Sequence, residues 1–172
     1  MVVLTPMKNE LIEQAIFRMD ENTPRIQKCL DQLSEAEVWQ RPNGSSNSVG
    51  NLILHLCGNI RQYIVSSLGE VPDSRDRDAE FNGEGSMNKA ALYDKINGTV
   101  EEAKTVIRQL QEEDMLRQRS VQGFSFSAVG IILHVMEHYS YHTGQIAFWT
   151  KLLKDRDLGF YADFDLNTKN EL

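Results

Sequence analysis

Residues 131–149, IILHVMEHYSYHTGQIAFW, place His134, His138 and His142 four residues apart within an apolar run. Each helical residue turns about 100°, so a step of four drifts only about 40° and rises roughly 6 Å. The three rings therefore share one face of a helix. Neighbouring imidazoles at this spacing can hold one ion. The end pair, His134 and His142, is about 12 Å apart in rise, which does not suit a metal whose imidazole bonds are about 2.0–2.1 Å long. At most two of the three are expected on the same ion, and spacing alone leaves open which two.

The remaining histidine, His55, lies in NSVGNLILHLCGNIRQYIVSSL, a second apolar helical stretch with a polar stripe. A single buried histidine is most simply one bonded to backbone or polar neighbours. The set reads differently: a pair four residues apart plus a histidine from another helix is a common way for a bundle to build a three-nitrogen metal site with an open position. Asn51 and Asn59 sit one step of four to either side of His55 and extend its polar stripe. Cys57 points about 200° away from it, which makes it a poor ligand for the same ion.

The chain has 172 residues, enough for one domain with a sizeable core, so residues 1–172 are expected to form a single unit. With 18 basic and 25 acidic residues the net charge is -7, which argues against nucleic acid or anionic lipid held by a broad basic surface. Cys29 and Cys57 are the two cysteines, and both lie in helical apolar contexts that suit packed thiols and a reducing compartment. The N-terminal apolar start is short and soon charged, and no stretch approaches the length of a membrane span. These features predict a soluble, cytoplasmic protein.

Taken in order, residues from about Pro6 to Leu33 read as one helix kinked at Pro24, followed by a short helix opened by a Ser34–Glu37 capping box. A second long helix, capped by Asn47 or Ser48, should run to about Leu68. Residues 69–85, GEVPDSRDRDAEFNGEG, read as a long crossover loop whose charges either pair weakly in solvent or serve the site. Ser86 is expected to cap a third helix ending near Leu110, and Ser127 a fourth ending near Lys154. Residues 111–125 break the helical pattern without a clear strand. Phe160, Tyr161 and Phe164 are expected to pack back on the body, and 168–172 to fray. Four long amphipathic helices make the chain an all-α four-helix bundle.

SVGNLILHLCGN, then RDRDAEF, then HVMEHYSYHTGQI, in that order and spacing, resemble the DinB-like superfamily, which includes bacillithiol transferases and mycothiol-dependent maleylpyruvate isomerases. The resemblance spans nearly the whole chain. It implies a four-helix bundle holding a divalent metal near one end, with His55, His138 and His142 as ligands and His134 as a neighbour one turn away. It also implies a homodimer and a small-molecule substrate. Thr143 stands where many relatives carry an arginine before Gly144-Gln145, so the resemblance gives this position no cation for an anionic substrate. The expected activity is a metal-dependent one, hydrolase-like or a thiol S-transferase, with zinc or nickel as the ion and a low-molecular-weight thiol as cosubstrate. The alternative is a non-enzymatic stress or binding protein in which the metal clamps two helices and His134 closes its coordination. No catalytic residue is assigned: Glu137 points about 100° away from His138, and Asp78 and Glu80 lie in the crossover.

Overall fold

The computed structural model describes residues 5–171. The apolar start at 1–4 and Leu172, at the end of the tail expected to fray, lie outside them.

The long helices are α1 (Thr5–Gln32), α3 (Val49–Ile60, continued by a wider π-helical turn over Arg61–Ser66), α5 (Lys89–Gln109) and α6 (Ala128–Lys154). Each of α1 and α3 packs against both α5 and α6, so α1 and α3 sit diagonally across a four-helix bundle. Ile26, Ile53, Ile60, Ile64, Leu92, Ile96, Ile131, Ile132 and Ile146 fill its centre and are fully enclosed. Each such side chain contributes roughly 1.5–3 kcal/mol, against about 0–1 kcal/mol for an exposed ion pair, so the apolar stripes decide the fold.

α1 passes through Pro24 without a break. Pro24 brings no amide hydrogen for Asp20 O, and the two polar side chains before it bond back to the preceding turn: Asn22 Nδ2 donates to Arg18 O at 2.8 Å and Thr23 Oγ1 to Met19 O at 2.8 Å. Because Thr23 donates there, it accepts from Tyr139 Oη at 2.8 Å, a buried bond between α1 and α6. α2 (Glu35–Trp39) begins with the expected Ser34–Glu37 capping box. Its Trp39 ring lies on Gly50, where a Cβ would come within 2.7 Å of the ring, and its indole Nε1 donates to Met87 O.

Three local expectations change. The crossover is not structureless: α4 (Arg77–Asn82), capped by Asp76, packs on α3. Asn88, not Ser86, caps α5, its Oδ1 accepting from Ala91 N at 2.9 Å. Residues 118–127 form a hairpin of β1 (Gln118–Val121) and β2 (Phe124–Ser127), turned by Gln122 and Gly123, both at positive φ. Its inward face pairs Val121 with Arg119, a buried cation bonded to Asp114, so the apolar alternation that marks a strand is absent from the sequence. In the tail, Phe160 and Tyr161 stack against Arg25, while Phe164 stays exposed. No helix among the described residues is long and apolar enough to cross a membrane.

Lys154, in the last turn of α6, reaches both carboxylate oxygens of Glu37 at 2.7 and 2.6 Å. Together with the Ser34 bonds, this holds Glu37 down from 4.5 to about 2. A depressed carboxylate stabilises the fold above its unfolded value and loses that contribution as pH falls through the folded one. Glu37→Gln keeps an acceptor for the capping box but loses the ion pair. It is expected to lower the melting temperature at pH 7, with the difference from wild type closing between pH 4.5 and about 2 in thermal unfolding followed by circular dichroism.

Candidate metal centre

α3 and α6 cross where their polar stripes meet. There His138 Nε2 lies 2.9 Å from His55 Nε2, and the ring centroids of His55, His138 and His142 are 4.4–5.1 Å apart. One ligating atom from each ring falls within 4.8 Å of the others. His134 is not part of this group. Its ring stacks on Tyr63 at 4.4 Å and near Phe126, and its Nε2 meets Asn59 Nδ2 at 3.4 Å.

The outer nitrogens are held by neighbours. Glu80 Oε2 lies 2.9 Å from His55 Nδ1, and Arg75 grips the same carboxylate with Nε at 2.7 Å from Oε1 and Nη2 at 2.9 Å from Oε2. Arg75 Nη1 donates to Gln62 Oε1 at 2.9 Å, which ties the pair to α3. Burial works to raise the Glu80 pKa, but the bonds from Arg75 and His55 win and lower it. An ionised carboxylate can only accept, so it takes the proton on Nδ1 of His55 and leaves Nε2 as the nitrogen that can ligate. His142 Nδ1 likewise donates to Gln145 Oε1 at 2.6 Å, and Gln145 Nε2 to Tyr141 Oη. Its Nε2 is free as well.

α4 is pinned so that Glu80 can do this. Asn51 Nδ2 reaches the carbonyls of Glu80, Phe81 and Gly83 at 3.1–3.3 Å, and Arg41 Nη2 donates to Phe81 O at 2.6 Å. The Phe81 ring then covers His55, with centroids 4.9 Å apart. Gly58, one turn after His55, makes room: a Cβ there would overlap the Glu80 carboxylate. Arg75 and Glu80, read as loop charges that either pair weakly in solvent or serve the site, are a buried pair beside His55.

Burial, then the neighbouring rings of His142, His55 and His134, push His138 down to about 3, and burial also lowers His142 and His134. His138 is therefore neutral at physiological pH. Two facing imidazole nitrogens at 2.9 Å need a proton or a cation between them. A metal about 2.0–2.1 Å from each nitrogen sets donors roughly 3 Å apart, so the donor set fits a divalent transition ion. The carboxylate on Nδ1 of His55 is the partner that commonly orients a metal-binding histidine.

The other residues weighed from sequence lie elsewhere. Glu137 and Asp78 are exposed, and Thr143 is buried with its hydroxyl on Tyr139 O. Cys57 is enclosed and pushed up to about 12 by burial; Cys29, also enclosed, to about 11. Neither supplies a thiolate.

The same bundle is seen in solved structures of low sequence identity. A conserved protein from Enterococcus faecalis matches with a TM-score of 0.67 at 16% identity, over 84% of this chain and 97% of that one. A DinB-like protein from Bacillus cereus matches at 0.65 and 15%, over 82% and 91%. The mycothiol-dependent maleylpyruvate isomerase matches at 0.62 and 15%, over 78% of this chain and 60% of the isomerase. No curated protein matches the sequence. The family model described as "Protein of unknown function (DUF1572)" matches residues 7–161, nearly the whole bundle, and the chain belongs to that DinB-like family.

Proposed function

We propose that the chain is a metal-dependent enzyme in which His55, His138 and His142 hold one divalent transition ion, zinc or nickel, and that it transfers a low-molecular-weight thiol to a small-molecule substrate. The observation that carries this reading is the His55–Glu80–Arg75 relay: a buried carboxylate fixes the tautomer that turns a lone pair toward His138 and His142. Such an ion, when bound, supplies the positive charge that makes a thiol or water nucleophilic near neutral pH.

The chain's own part is to position and exclude. His138 stays unprotonated because it is buried among other rings, so protons do not compete for its lone pair at neutral pH. Phe81 shields one side of His55 from water. Glu80 is committed to Arg75 and His55, which makes it a positioning residue and not a general base. With both cysteines buried and protonated, the sulfur nucleophile comes from a cosubstrate, and a fold neighbour described as mycothiol-dependent supports that choice. A hydrolase-like reaction uses the same residues with water in place of the thiol. The alternative of a non-enzymatic clamp closed by His134 finds no support in the placement of that ring, which stacks on Tyr63. The reading includes one domain over 1–172, a reducing, cytoplasmic setting and a homodimer, the last checked by sedimentation at micromolar concentration.

The untagged protein is expected to bind one zinc or nickel per chain, and His138→Ala none; stoichiometric metal in that variant by elemental analysis overturns the ligand set. Thiol-transfer assays with the loaded protein test the activity, and their failure with metal still bound overturns the transferase reading and leaves the hydrolase-like reaction and the clamp. Gly58→Ala should raise helix propensity yet displace Glu80. Metal affinity is expected to fall about 10- to 100-fold in competition with a chelator, with no loss of helical signal.

A further inference from the structure

A groove of about 640 Å³ runs between α6 and the connector before α3, and His142 and Gln145 are among its lining residues. Its apolar walls include Leu52, Tyr141, Phe148 and Trp149, with Phe148 70% and Tyr141 60% exposed. None of its lining residues is Asp, Glu, Lys or Arg. That is unusual for a chain with 25% charged residues. Three other hollows, beneath the crossover, beside the C-terminal tail and beside β1, all mix acidic and basic side chains.

We infer that this groove binds an uncharged aromatic molecule and presents it to the histidine cluster. The volume is within the roughly 300–1,000 Å³ of small-molecule sites, which are apolar with a few polar groups that fix orientation. Flat aromatic walls suit a flat ring. A carboxylate or phosphate finds no cation here, and Thr143, buried and bonded to Tyr139 O, offers none. That the molecule reacts at the cluster rests on the metal reading above; that it binds does not.

The test uses the full-length, metal-free protein and two fluorescent probes, neutral N-phenyl-1-naphthylamine and anionic 8-anilinonaphthalene-1-sulfonate. The neutral probe should saturate at one per chain, and the sulfonate should bind about tenfold more weakly or worse. Phe148→Glu should weaken the neutral probe about tenfold or more, while Leu116→Glu, an equally exposed apolar residue outside the groove, should leave it unchanged. Equal binding of both probes, or binding indifferent to Phe148→Glu, overturns the inference. So does a wild-type dimer that Phe148→Glu splits while neither form takes the probe, since a second copy then covers the groove. A chain that binds the probe and no metal supports the groove and contradicts the metal reading; one that binds metal and no probe does the reverse.

Discussion

The centre depends on one close approach, the 2.9 Å between the Nε2 atoms of His55 and His138. It is imposed by the bundle. The enclosed isoleucines of α3 and α6 fix how the two helices cross, and the rings stand on the stripe that faces the crossing. Burial keeps His138 from relieving the contact by taking up a proton, because a charge there would be both desolvated and crowded by its neighbours. His138 therefore brings one lone pair and at most one ring proton to the contact, and a cation between the two nitrogens has only that proton to displace.

Beside this approach lies a costly feature. Arg75 and Glu80 are a buried ion pair, and such pairs contribute little to stability once desolvation is counted. Here the carboxylate has a second partner in His55 Nδ1, so the pair fixes a tautomer. Its placement draws on α3 and on the connector before it: Gly58 leaves space, Asn51 holds the α4 carbonyls, and Arg41 anchors Phe81. On the other side, β2 carries Phe126 to His134, and Gln122 in the hairpin turn accepts from Tyr63 Oη at 3.0 Å. The crossover before α5 and the hairpin before α6 thus both reach the histidine-bearing faces of α3 and α6.

Much of the bundle was legible because helical amphipathicity is a local signal. Four apolar stripes, the Ser34–Glu37 box and Ser127 at the start of α6 can be read from residues within one or two turns of each other. The spacing of His138 and His142 and the polar stripe around His55 made a cluster legible in the same way, although choosing His138–His142 over His134–His138 took the resemblance. What could not be read was set by distance along the chain. Glu80 meets His55 across 25 positions, and the need for a glycine at 58 exists only because that carboxylate arrives. The hairpin was hidden by Arg119, a charged residue facing inward because Asp114 receives it. Ser86 and Asn88 are both residue types that cap well, so composition does not separate them, and the structure uses Asn88.

The central claim is that three neutral imidazoles hold one ion and leave a coordination position for a thiol. Visible absorption of the cobalt-substituted protein, recorded as a small thiol is added, tests it most directly. The account predicts a new sulfur-to-cobalt charge-transfer band on thiol addition to wild type and no cobalt spectrum in a His55→Ala variant. A cobalt spectrum that thiol leaves unchanged, or one that persists without His55, would contradict it.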